Sequence, residues 1–334
     1  MKPAFSVISF TTLAGAAQGL VVTLAVSVLT GVPVSARFIT AALACALVML
    51  GVGLGASFLH LGRPERAWRA MAMWRTSWLS REVIVLPVFM GLVFLWAGIT
   101  VWGPTGDNSR TVTLVLAMLA LAGAALLWWC TGQIYACLRF IQEWAHPMTV
   151  VNFTLVGLST GLVLGCALAA TLGERAALAE WAPRALAATL AAWGARAWSL
   201  HRNARLKPKS TAQSATGIAS AKLAQKSMGM SAGAFNTREF FHGATQAAIG
   251  QVRRALHVLG FGLPAGLMIA ALTVAATMPT LAPVPASAHA ALPGLVIALW
   301  WATLASQVPG ILAERWLFFA QARHPQNLYY QAVS

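Results

Sequence analysis

The chain has 334 residues, 58% of them hydrophobic and 9% charged, with 23 Lys and Arg against 8 Asp and Glu and a formal net charge of +15. Soluble domains carry roughly a quarter charged residues, so this composition excludes an ordinary soluble enzyme, and its apolar fraction excludes a disordered chain. With a mean hydropathy of +0.70, a pI near 11.2 points away from nucleic acid and toward topology signals and contacts with membrane lipids.

A spanning helix needs about 20 mostly apolar residues, and the sequence offers eight such runs. They are 5–30, 38–59, 83–103, 111–137, 148–172, 183–200, 255–278 and 291–313. The first follows Lys2 and is too long for a signal-peptide core, so it reads as an uncleaved helix. The sixth is the least apolar, with Glu180, Pro183, Arg184 and Arg196 crowding its ends. Unbroken runs rather than alternation argue against a barrel. The expected fold is all-α: one membrane domain over 1–334, an eight-helix transmembrane bundle. A hydrophilic basic loop, 201–254, enters between the sixth and seventh helices. Gly51-x-Gly53-x-Gly55 and the run from Gly157 to Gly165 read as close-packing surfaces. Cys45, Cys130, Cys137 and Cys166 all lie in apolar runs and form no CxxC pair, which argues against a disulfide framework and against a metal site.

Eight spans put both termini and the 2–3, 4–5 and 6–7 loops on one side. That side holds Lys2, Arg63, Arg66, Arg69, Arg75, Arg81, Arg139, the bases from Arg202 to Arg254, and Arg323. The other holds Arg37, Arg110 and Arg175, with Arg184 slightly inside the sixth span. Loops rich in Lys and Arg stay cytoplasmic, so both termini are expected in the cytoplasm of a bacterial inner-membrane protein.

The most informative stretch runs from Phe58 to Glu82. Pro64 suits a first helical turn, Arg66 and Arg69 share one face, and Trp68, Met71, Trp74 or Arg75, and Trp78 follow on another. This is the pattern of an amphipathic helix at the headgroup level. Around it stand a histidine ending the second span, His60, a glycine, Gly62, and an acid opening the third span, Glu82. Those residue types suit a quinone, which takes up two electrons and two protons. His60 can donate hydrogen bonds and transfer protons near neutral pH. Arg66 or Arg75 can stabilise negative charge on a ring oxygen. Glu82 can relay protons, although Ser80 followed by Glu82 also fits a helix cap with an acid in the first turn.

His60-Leu-Gly-Arg-Pro, Arg66-Ala-Trp and Ser77-x-x-Ser80-x-Glu82 resemble the membrane anchor subunit of dimethyl sulfoxide reductase. So does the segment from Glu314-Arg315 through His324 and Asn327 to Tyr330. The resemblance implies an eight-helix, quinone-reactive anchor without haem, which does no molybdenum chemistry itself. The implied partners are a molybdopterin catalytic subunit and an iron–sulfur subunit with four clusters. Carried over by position, the quinone-site residues are His60, Gly62, Arg66 and Glu82, with Trp68 walling the ring and Ala70 replacing a small polar residue of the family. Arg63, Arg69, Glu314, Arg315 and Arg323 become expected docking contacts for the iron–sulfur subunit.

In the respiratory reductase the partner-facing side is periplasmic, whereas the charge count here turns it to the cytoplasm. That arrangement is more similar to the anchor of a cytoplasm-facing, quinone-linked sulfite dehydrogenase. A menaquinol-oxidising anchor of a terminal reductase is the alternative within the family, and the residues leave ubiquinone and menaquinone both open. A haem b anchor would need facing mid-span histidines, and His60, His146, His201, His242, His257 and His289 all fall at or beyond span ends. A transporter would need ionisable residues deep in the spans, where this protein has almost none.

Overall fold

The computed structural model describes residues 1–59, 61–103, 107–209, 211–223, 242–277 and 292–325, and every regular element among them is helical. In chain order these are α1 (Phe5–Thr30), α2 (Ala36–Phe58), a 3-10 helix (Pro64–Met73), α3 (Trp78–Trp102), α4 (Asp107–Ala136) and α5 (Met148–Leu172). There follow α6 (Arg175–Ala204), the short α7 (Ala212–Thr216), α8 (Gln246–His257), a π-helical turn (Val258–Gly262), α9 (Leu263–Thr277) and α10 (Gly294–Ala320). In hydrocarbon a helix satisfies every backbone polar group within its own segment, which is why long apolar runs take this form. Their ends follow local chemistry. Ser35 Oγ accepts from Phe38 N–H at 3.1 Å to start α2, and Thr245 Oγ1 accepts from Ala248 N–H at 3.2 Å to start α8. Gly31 and Gly173, at φ 76° and 78°, end α1 and α5 in the left-handed conformation.

The bundle is built around α1, which packs on α2, α4 and α5. Gly15 and Gly19 face Gly157 and Gly161 of α5 so closely that a Cβ on Gly157 would lie 2.7 Å from the Gly15 carbonyl oxygen. Helices that pack without a hydrophobic drive between them depend on such backbone proximity. The Gly51–Gly55 run behaves differently: a Cβ on Gly51 or Gly55 would meet open space, and only Gly53 packs on α1, where a Cβ would be in ordinary contact with Phe10 and Leu13 at 3.5 Å. The apolar core joins Leu20, Leu24, Phe38, Leu43, Phe89, Trp96, Trp181 and Trp300 from several helices. Two polar tethers join the helices. Asn152 Nδ2 donates to Ser199 Oγ at 2.7 Å, and Gln307 Nε2 donates to Ser159 Oγ at 3.0 Å. Gln18 instead donates to the Ala14 carbonyl of its own helix, at 2.9 Å.

Among the described residues seven helical segments are long and apolar enough to cross a membrane. They are α1, α2, α3, α4 from Arg110, α5, the continuous segment Gln246–Thr277, and α10. α6 has the length, 30 residues, and lies along α5, but Glu180, Arg184 and Arg196 keep it below that apolarity. The expected basic loop is also shorter than the sequence suggested. α6 continues to Ala204, and α8 begins at Gln246 and runs through the π turn into α9. At that turn Gly260 meets Gly310 of α10, and Ser306 Oγ donates to the Leu259 carbonyl at 3.1 Å.

The Met1 ammonium donates to the Ala320 and Ala322 carbonyls at 3.4 and 3.1 Å. Trp144 Nε1 donates to the Phe318 carbonyl at 3.0 Å. The start of α1, the 4–5 connection and the end of α10 therefore share one end of the bundle. Because α1 and α2 run antiparallel, the 2–3 connection lies at that end too.

Candidate functional site

His60, the central residue of the expected site, lies outside the described residues. The segment after it is a 3-10 helix rather than an α-helix, and it buries none of its residues. At about three residues per turn, side chains three apart eclipse, so Arg63, Arg66 and Arg69 line one edge while Trp68, Met71 and Trp74 line another. A Cβ on Gly62 would meet nothing within 4 Å among the described residues. Arg66 stands 3.9 Å from Glu65, with both side chains largely solvated. The Arg69 guanidinium lies 5.5 Å from the centre of the exposed Trp68 ring, and Arg75 lies at the same distance over Trp74. Arg81, not singled out from the sequence, closes the segment. Its Nε and Nη2 donate to the Trp74 and Arg75 carbonyls at 2.9 Å each, while its guanidinium covers Trp78 at 4.1 Å.

Glu82 behaves in the opposite way. It is buried, and its carboxylate accepts a hydrogen bond from the Thr131 hydroxyl of α4. The cap of α3 is Ser77, whose Oγ accepts from Ser80 N–H at 3.3 Å. Glu82 therefore lies beyond the first helical turn, and the capping explanation for it is removed. Among the described residues no hydrogen bond or ion pair joins Glu82 to the 3-10 segment. Thr131 was not predicted, and no spacing in the sequence marks it.

Two docking residues require correction. Glu314 and Arg315, expected on the partner-facing surface, are buried, with 0% and 2% of their surface exposed. Arg196 Nε of α6 approaches Glu314 Oε1 at 2.8 Å, and Arg315 Nε approaches Oε2 at 3.3 Å. Neither N–H points at its oxygen, so both contacts are charge–charge rather than directed hydrogen bonds. The Arg315 guanidinium also lies 4.0 Å from the centre of the Phe153 ring. Burial is the physical reason for the correction: these charges tie α10 to α6 and α5 and are not available to another protein. Arg63, Arg69 and Arg323 do stay exposed.

Residues 1–221, which include α1 to α6 and the 3-10 segment, match the model of the family described as DMSO reductase anchor subunit (DmsC). The chain belongs to that family. It is 43% identical to a sulfite dehydrogenase subunit of Allochromatium vinosum across the whole of both proteins. It is 28% identical to a subunit of the anaerobic dimethyl sulfoxide reductase of Escherichia coli, over 42% of this protein and 47% of that one. The corresponding protein of Haemophilus influenzae is 29% identical over 36% of this one and 42% of its own length. The family membership accounts for the dominance of membrane-length helices in this anchor.

Proposed function

We propose that this anchor subunit is the quinone-reactive member of a three-subunit molybdenum oxidoreductase that oxidises sulfite at the inner membrane. The observation that carries the reading is the 43% identity, end to end, with a protein named as part of a sulfite dehydrogenase. Its partners are a molybdopterin catalytic subunit and an iron–sulfur subunit with four clusters, docked through Arg63, Arg69 and Arg323 on the cytoplasmic face. α6 is the eighth span: at about 1.5 Å per residue its 30 residues reach about 45 Å, enough to cross. The 3-10 segment lies in the headgroup layer, with Trp68, Met71 and Trp74 toward lipid.

Quinone is the substrate of this protein's site. Reducing it requires two electrons, supplied through the partner's clusters, and two protons, delivered to its ring oxygens. His60 holds one ring oxygen by hydrogen bond and transfers a proton to it. Arg66 and Arg75 offset the negative charge that builds on the ring, and Trp68 walls its face. A Cβ on Gly62 would meet nothing within 4 Å among the described residues, which leaves the backbone open to close approach by a ligand. Glu82, oriented by Thr131, passes protons toward His60.

The test is reduction of ubiquinone and menaquinone by the purified complex with sulfite as donor. Sulfite-dependent turnover is expected. Quinol oxidation coupled to dimethyl sulfoxide, with no sulfite activity, would replace this reading with that of a terminal reductase. A dithionite-reduced absorption spectrum without b-type haem bands is expected. Impermeant labelling of single cysteines at Arg175 and Lys207 should find them on opposite sides if α6 crosses.

A further inference from the structure

Away from the 3-10 segment, at the same end of the bundle, a cleft of about 480 Å³ opens between α6, α8 and α10. Its polar lining includes His242, Gln246, Arg253 and His257, and its apolar floor is Leu200, Ile249 and Leu317. Three histidines line it, His201, His242 and His257, and the last two share a feature. His257 Nδ1 accepts from Trp193 Nε1–H at 2.9 Å, and His242 Nδ1 accepts from the Ala244 N–H at 3.0 Å. Each ring has thus spent its acceptor nitrogen within the protein, which leaves Nε2 to carry the proton and to donate. Burial, and after it the nearby chain N-terminus, hold the His242 pKa below its usual value, which favours the neutral ring.

Among the described residues one carboxylate lines the cleft, Glu143, and it is already matched. Arg323 Nε lies 3.8 Å from its Oε1, and the Arg323 N–H donates to Oε2 at 3.4 Å. Among the described residues no carboxylate lies within ion-pair distance of Arg253, which is exposed. An unmatched guanidinium beside two imidazole donors calls for an anionic acceptor. Among the described residues no aromatic ring other than the imidazoles lines the cleft, which gives a quinone ring nothing there to stack on. The position specifies the source of the anion. The segment Gln246–Thr277 has 32 residues, about 48 Å at 1.5 Å per residue, against about 30 Å of hydrocarbon. Its first turns therefore rise into the headgroup layer, and they bring Arg253 and Gln246 with them.

We propose that this cleft binds the phosphate of an anionic phospholipid headgroup, with Arg253 supplying charge, His242 and His257 donating hydrogen bonds, and the acyl chains leaving along α8. Basic pockets between spanning helices recognise anionic lipid in this way.

The experiment uses the full-length protein in a neutral detergent. Phosphatidylglycerol and phosphatidylcholine bound per protein molecule are counted by mass spectrometry, and the thermal midpoint is followed by tryptophan fluorescence. Phosphatidylglycerol is expected to be retained and to raise the midpoint, while phosphatidylcholine does neither. Arg253→Gln should weaken retention about fivefold, the share of one guanidinium near a charged surface, and His242→Gln with His257→Gln should weaken it further. Arg139→Gln, an exposed base outside the cleft, should leave it unchanged. Equal retention of both lipids, or an equal loss in Arg139→Gln, would overturn the proposal. So would inorganic phosphate alone raising the midpoint as far as phosphatidylglycerol. Variants that keep the lipid but lose the iron–sulfur partner on co-purification would reassign the cleft to protein docking.

Discussion

Two regions of this anchor use the same ingredients, arginine, a carboxylate and an aromatic ring, to opposite ends. In the 3-10 segment Arg66 and Glu65 stand 3.9 Å apart with about half or more of each side chain exposed, and Arg69 lies 5.5 Å from the Trp68 ring centre. Between α6 and α10, Arg196 and Glu314 approach to 2.8 Å almost fully buried, and Arg315 sits 4.0 Å from the Phe153 ring centre. A solvated pair contributes about 0–1 kcal/mol and leaves its charges free to meet something else. A buried pair is coupled to its surroundings, because removing one partner strands the other without water. Exposure, rather than residue type, separates the charges available for chemistry from those committed to architecture.

The sharpest way to break that distinction is Glu314→Gln. It leaves Arg196 and Arg315 buried without a counter-charge, and the expected loss is about 3–5 kcal/mol, read as a lower thermal midpoint. The triple replacement of Arg196, Glu314 and Arg315 by Leu should recover most of it, since well-packed apolar residues often substitute for a buried ionic group with little loss. A single variant no worse than the triple would mean that the cluster is wetter than its burial indicates.

His60→Ala tests the other region and should be the mirror image. Turnover with quinone is expected to fall about 100-fold or more, the range for loss of a general acid–base group, while the thermal midpoint stays unchanged. Arg66→Gln is the milder version. It should reduce turnover by about tenfold, as loss of one charge-stabilising donor of modest strength, and leave stability within about 0.5 kcal/mol. A large stability loss in either variant would move the segment into the architectural class.

The helices were legible in the sequence because apolar length is a strong and local signal. The runs 5–30 and 148–172 coincide with α1 and α5. The seam between them was half legible: the glycines of α5 stood out, but nothing in their order along the sequence said that they meet Gly15 and Gly19 rather than the Gly51 run. The fate of Glu314 and Arg315 was not legible. Their place near the end of an apolar run fits a solvated tail equally well, and only Arg196, arriving from a helix about a hundred residues earlier, determines their burial. Glu82 falls between these cases. Its position was visible, but the hydroxyl that binds it comes from α4.

Glu82 is also where the comparison can be made finest, because it is buried like Glu314 yet has a neutral hydroxyl for a partner rather than a guanidinium. If it is architectural, its worth is that of one hydrogen bond. Thr131→Val should then lower stability by about 1 kcal/mol and leave turnover alone, and Glu82→Gln, which can still accept from Thr131, should do nothing. If it carries protons, the two variants separate. Glu82→Gln keeps the fold but slows quinone turnover, because an amide cannot exchange the proton. Thr131→Val slows it less, because the carboxylate remains and only its orientation is lost. We expect the second pattern, read as turnover against thermal midpoint for both variants. An amide variant with full activity would place Glu82 with Glu314 among the residues that only hold helices together.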